Sequence, residues 1–134
     1  MVDHMMAPVR RLAQSSVTHV LFAFVAMGGW AVLANSNHSP QRALLAGIVQ
    51  GALSACLTLF LKTVIERLSK QFKGGAGLWA PPLIACLAST AVLISIHALS
   101  GTPEILRTIA VPLAVSTSYA AVYNYFLYRK RISA

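Results

Sequence analysis

The chain has 134 residues, a net charge of +8, 57% hydrophobic residues and only 10% charged ones. That composition excludes an ordinary water-soluble domain, in which charge takes up roughly a quarter of the residues. The excess of Lys and Arg, which in a soluble protein would suggest nucleic acid, here reads as charge that orients spans and meets anionic lipid head groups, so no nucleic-acid partner is expected.

Four apolar stretches fill most of the sequence, each able to cross a hydrocarbon core of about 30 Å as a helix. The expected fold is all-α, a polytopic membrane protein in which residues 1–134 form one bundle of four transmembrane helices. Residues 1–14 have no periodicity and read as a tail, free or resting on the membrane surface. The first span is predicted over residues 16–35, opened by the hydroxyls of Ser15, Ser16 and Thr18 where free backbone N–H groups need partners. Arg10-Arg11, an apolar core and Val32-Leu33-Ala34 together resemble a secretory signal. The apolar run is longer than a usual signal core, so a retained anchor is expected. His19 lies about one turn inside and is a candidate for a polar passage or for a bond to a neighbouring helix. Trp30 fits the aromatic belt at the far interface, and Asn35 to Pro40 form a polar turn.

The second span is predicted over 42–62, with a helical extension to 73. Gly47 and Gly51 form a G-x-x-x-G pair, and Ser54 and Thr58 continue the face, so a close helix contact is expected there. An internal neighbour and another subunit both remain open as the partner, and self-association through this face is the expectation. Gln50 lies in the same stripe and needs a hydrogen-bond partner, which makes it a second polar-passage candidate. Glu66 can pair with Lys62 or Lys70, each four residues away, and Gly74-Gly75 ends the helix.

The third span, 78–98, carries Trp79 and Pro81-Pro82 in its predicted first turn, small residues Ala85, Ala88, Ser89 and Ser95, and His97 at its far end. Cys56 and Cys86 fall in mid-span and read as apolar packing residues, with no disulfide and no metal site implied. The fourth span, 103–128, starts at Thr102-Pro103-Glu104, a hydroxyl cap, a proline and an acid at the positive helix end. Pro112 should kink it, while Ala110, Ala114 and Ser118 repeat every fourth residue as a packing face. Tyr119, beside Ser116, Thr117 and Ser118, is the third polar-passage candidate, and Tyr123, Tyr125 and Tyr128 read as an interfacial belt with Asn124 among them.

Nine of the eleven Lys and Arg (Arg10, Arg11, Lys62, Arg67, Lys70, Lys73, Arg129, Lys130 and Arg131) fall on one side of this arrangement, against Arg42 and Arg107 on the other. The positive-inside rule then predicts a multi-pass protein of the cell inner membrane with both termini cytoplasmic. No nucleophile–base set, paired carboxylates, ligand spacing or phosphate loop is visible, so neither an enzyme nor a cofactor is expected. The acids are Asp3, Glu66 and Glu104, none deep in the bilayer, which argues against proton-coupled export through a carboxylate in the first span. Arg107 reads either as an interface anchor paired with Glu104 or, together with His97, Arg42 and His38, as part of an external cationic edge able to hold an anionic ligand such as a lipid phosphate.

Phe24-Val25-Ala26-Met27-Gly28-Gly29 in the first span and Asn124-Tyr125-Phe126-Leu127-Tyr128-Arg129-Lys130 closing the fourth resemble the GtrA-like family of four-span proteins. That resemblance implies assistance in moving polyprenyl-phosphate-linked sugars across the bacterial inner membrane. The chain departs from the family at Leu59-Phe60-Leu61-Lys62, where the family tends to repeat its asparagine–aromatic–basic ending, and at the start of the third span, which lacks a phenylalanine–glycine pattern. Two functions are expected from these readings. One is a non-enzymatic protein assisting translocation of a lipid-linked or amphipathic anionic molecule. The other is an accessory subunit that stabilises a larger membrane enzyme or transporter. Membrane lipids are expected partners in both, together with a second copy of the chain or a larger membrane protein.

Overall fold

The computed structural model describes residues 16–133, so the expected tail, Arg10, Arg11 and the hydroxyl of Ser15 lie outside the described residues. Four helices follow one another: α1 (Ser16–Ala34), α2 (Pro40–Gln71), α3 (Ala76–Ser100) and α4 (Ile105–Ile132). All four are long and apolar enough to cross a membrane. The 32 residues of α2 make a rod about 48 Å long, so a hydrocarbon core of about 30 Å leaves several turns in the head-group layer.

Burial is inverted relative to a soluble bundle. Leu99, Leu106 and Phe22 are 89%, 74% and 72% exposed, whereas Asn35, Gln50, His97, Thr108 and Asn124 are wholly buried. In lipid the apolar side chains can face outward at no cost, while polar groups must find partners inside the bundle. The four helices therefore present a hydrocarbon-compatible surface around a core in which small and polar residues join a few large apolar ones, Leu61, Ile65, Leu93 and Ile109.

Helices α2 and α4 each touch all the other helices, while α1 and α3 do not touch each other. The pair α2–α4 thus forms the centre, flanked by α1 on one side and α3 on the other. The α1–α2 contact is made backbone to backbone. A β-carbon on Gly28 would stand 2.9 Å from the Gly47 carbonyl oxygen, and one on Gly51 would stand 3.0 Å from the Phe24 carbonyl oxygen. The expected use of the Gly47/Gly51 face for self-association is corrected here, because α1 occupies that face. Close approach of two helices in lipid gains dispersion contacts that a bulkier residue would deny. By contrast, Ala114 and Ser118 are exposed, and the Ser118 hydroxyl donates to the Ala114 carbonyl of its own helix.

Three helix starts differ from expectation. Helix α2 begins at Pro40, with Ser39 as its cap. Helix α3 begins at Ala76, so Pro81 and Pro82 lie beyond the first turn and inside the helix. Each lacks the N–H that would bond the carbonyl four residues earlier, leaving those of Gly77 and Leu78 without their helical donors. Asn124 of α4 supplies both: its Nδ2 donates to Gly77 O and to Leu78 O, each at 2.9 Å. One buried amide thereby repairs two proline defects and fastens α4 to α3. At the start of α4, the expected Thr102 cap is absent because its hydroxyl is engaged by His97, and Glu104 occupies the cap position without a side-chain cap bond. The reason is the left-handed Gly101 (φ 73°), which closes α3 and turns Thr102 back so that its N–H donates to His97 O at 3.0 Å.

Candidate functional site

The first-turn end of α1, the Lys62 end of α2 and the Tyr119 end of α4 lie at one end of the bundle, here the tail end. The turns at Asn35–Ser39 and Gly101–Glu104 make up the hairpin end. At the hairpin end α1 and α4 are clasped by a buried amide. The Asn35 Nδ2 donates to Thr108 Oγ1 at 2.7 Å and to Ala31 O at 2.8 Å, and Asn35 Oδ1 accepts from the Glu104 N–H at 3.0 Å. The Thr108 hydroxyl donates in turn to Glu104 O at 2.6 Å, and the Trp30 indole N–H donates to Arg107 O at 3.0 Å.

No such bond ties α1 to α4 toward the tail end among the described residues, and there the two helices part from each other around a cleft of about 660 Å³. Its apolar wall includes Phe22, Met27, Leu57, Leu61 and Val115. Its polar lining consists of His19, Lys62, Ser54, Thr58, Thr63, Ser116 and Tyr119, with no carboxylate. The cleft thus joins a hydrocarbon-like wall to a cationic and hydroxyl-bearing rim, a combination suited to a molecule with an apolar body and an anionic group. Beside it, Glu66 accepts from the Tyr123 hydroxyl and lies 3.9 Å from the Lys62 ammonium. The alternative pairing with Lys70 does not form among the described residues.

A second polar feature leads from the hairpin end to the cleft. Thr102 donates its hydroxyl proton to His97 Nδ1 at 2.7 Å, and His97 Nε2–H donates to Gln50 Oε1 at 2.8 Å. Gln50 Nε2 donates onward to Ser54 Oγ at 2.8 Å. A neutral imidazole with its proton on Nε2 satisfies this chain, because the amide oxygen of Gln50 can only accept. Ser54 belongs to both features, since it ends the chain and lines the cleft.

These positions divide the residues expected from sequence. His19 and Tyr119 meet at the cleft, whereas Gln50 reaches it only through Ser54. His97 is not part of an external cationic edge: it is wholly buried on the face of α3 that carries Leu93 and Ser89, turned toward Gln50 of α2. Arg42 and Arg107 are exposed, and Glu104 pairs with His38 at 3.1 Å instead of with Arg107. The expected cluster of Arg107, His97 and Arg42 is therefore separated into exposed arginines and a buried histidine. Cys56 is exposed and Cys86 half-buried, both as free thiols.

The residues that sequence reasoning underrated are Asn35, Thr102 and Asn124, taken as turn, cap and belt, and Lys62, taken as an orienting charge and a partner of Glu66. For Asn124 a signal existed. Two adjacent prolines within a span leave two carbonyls in need of donors, and a lone Asn in a facing span offers two N–H groups. Asn35 gave no comparable signal, because its partners on α4, Thr108 and Glu104, lie 73 and 69 residues away. No known protein family, curated protein or solved structure matches this chain.

Proposed function

We propose that this chain is a small non-enzymatic inner-membrane protein that receives an amphipathic anionic molecule, of the lipid-linked kind, in the cleft between α1, α2 and α4 and assists its passage across the bilayer. The observation that carries the reading is the cleft itself, whose apolar wall and His19–Lys62 rim match the two halves of such a molecule. The absence of a carboxylate from its lining favours an anionic over a cationic head. The charge count, nine cations against two, supports a cytoplasmic tail end and hence a rim facing the inner leaflet. The resemblance to GtrA-like proteins points to the same class of cargo.

Reconstitution in liposomes containing a fluorescent anionic lipid tests the reading, with a membrane-impermeant quencher reporting movement between leaflets. The wild-type chain should speed the movement, and Ala23→Trp, which fills the cleft from α1, should return it to the protein-free rate. Wild-type liposomes no faster than protein-free ones would overturn the proposal.

The exposed Ala114–Ser118 face of α4 favours a second reading, in which the chain is an accessory subunit or a homo-oligomer that docks through this face. Crosslinking from Ala114→Cys in a Cys56→Ser background, in native membranes, distinguishes a larger protein partner from a second copy. No adduct of either kind removes this reading.

A further inference from the structure

A second hollow, of about 390 Å³, lies at the tail end between the close of α2, the start of α3 and the last turns of α4. Three cations line it, Lys70, Lys73 and Arg131, with Tyr128, Phe72 and Ile132 beside them. It is distinct from the cleft, with which it shares no lining residue. We propose that this hollow is a binding site for a phosphate group.

Four observations support that assignment. The Arg131 guanidinium is held in place, with Nη1 donating to the Ser69 carbonyl and Nη2 to Ser69 Oγ at 2.8 Å, while Ser69 itself is buried. Two of its five N–H groups are thereby used, leaving three on a pre-positioned planar fork for a ligand. No carboxylate lines the hollow, and neither Lys70 nor Lys73 has an acidic partner among the described residues. The nearest acid along α2, Glu66, is taken by Tyr123 and Lys62. Gly74 turns the chain with φ 66° and Gly75 leads into α3 without a side-chain cap, so the positive end of a 25-residue helix adds to the three cations.

Depth gives the fourth. Residues 70 and 73 follow Lys62 by about two to three helical turns, beyond the apolar run of α2, which puts the hollow among head groups. Phe72 and Ile132 then offer an apolar flank next to the cations, as a phospholipid would require, although a free phosphate or phosphate ester satisfies the same cationic chemistry.

The test uses the full chain in phosphatidylcholine nanodiscs doped with phosphatidylglycerol, with retained lipid counted by native mass spectrometry. Each cation near an anionic head group is worth about fivefold in binding, so Lys70→Gln/Lys73→Gln should lower phosphatidylglycerol retention by about twenty-five-fold. Arg129→Gln/Lys130→Gln removes the same charge from outside the hollow and should change retention by less than about twofold. Equal retention in wild type and the Lys70/Lys73 variant, or equal losses in the two double variants, would overturn the site. Inorganic phosphate added in competition identifies the source of the group. Displacement of the lipid at millimolar concentration supports a site for free phosphate, and resistance supports a lipid head group. Because Lys62 and the cleft are untouched, failure here leaves the transport reading standing, and a failed transport assay leaves this site standing.

Discussion

The two ends of the bundle are built on opposite plans. At the hairpin end α1 and α4 are joined by Asn35, Thr108 and the Trp30 indole, and the polar atoms of that clasp find partners within a few ångströms. At the tail end the same two helices separate around a cleft lined by His19, Lys62 and Tyr119, of which Lys62 lies 3.9 Å from Glu66. No loop joins α1 to α4 at either end, so the hydrogen bonds of the clasp close the hairpin end, while at the tail end only side chains decide how far the two helices part. A clasp at one end and an open cleft at the other are the consequence, and the proposed reception of an amphipathic molecule rests on the open end.

That contrast can be broken most severely at the joint between α3 and α4. Asn124→Leu keeps the branching and the number of heavy atoms but leaves the Gly77 and Leu78 carbonyls beside Pro81 and Pro82 without donors. Buried unsatisfied groups cost about 1–3 kcal/mol each, so the variant should lose about 2–6 kcal/mol. Thermal unfolding in mild detergent reads this as a marked fall in Tm, and an unchanged Tm would show that the proline carbonyls find other partners.

Gly47→Leu should follow. Even its β-carbon would meet Val32 Cγ2 at 2.5 Å and the Gly28 carbonyl oxygen at 3.0 Å, so α1 must move off α2. Overpacking of this kind costs about 1–3 kcal/mol. The separation should also widen the cleft, measurable as a longer spin-label distance between His19→Cys and Thr63→Cys in a background lacking Cys56 and Cys86.

The buried chain offers a sharper test, because one half of a polar pair is worse than none. His97→Leu should cost about 1–3 kcal/mol by stranding the Gln50 amide oxygen and the Thr102 hydroxyl. Adding Gln50→Leu should recover part of that loss, and a double variant less stable than the sum of the singles would refute the pairing. The smallest effect is expected at the surface of the hairpin end. The His38–Glu104 pair is partly exposed, so His38→Ala should cost about 0–1 kcal/mol and less still at high salt.

Much of the architecture is legible in the residues. Long apolar runs interrupted by Asn35–Pro40, Gly74-Gly75 and Gly101–Glu104 are enough to locate four helices, because a polar backbone in hydrocarbon must close its hydrogen bonds within each segment. The glycine spacing on α2 also marks a close contact, although its partner was open between α1 and another subunit. The site was less legible. His97 and Arg107 lie ten residues apart and on the same side of any hydropathy plot, yet one is wholly buried and the other exposed. Hydropathy assigns depth in the membrane and is nearly blind to rotation about a helix axis when most faces are apolar.

What the sequence by itself determined, then, is the number of helices, their lengths and the uneven distribution of charge between their ends, all of which follow from local chemistry read along one dimension. Only the tertiary structure decided which face of each helix turns inward. It set Asn124 against two proline-freed carbonyls, His97 against Gln50, and α1 against the glycines of α2, and it left a cleft where α1 and α4 part. The physical reason is that helix rotation in lipid is governed by specific polar pairs and close backbone contacts between distant residues, since apolar side chains gain little from one orientation over another.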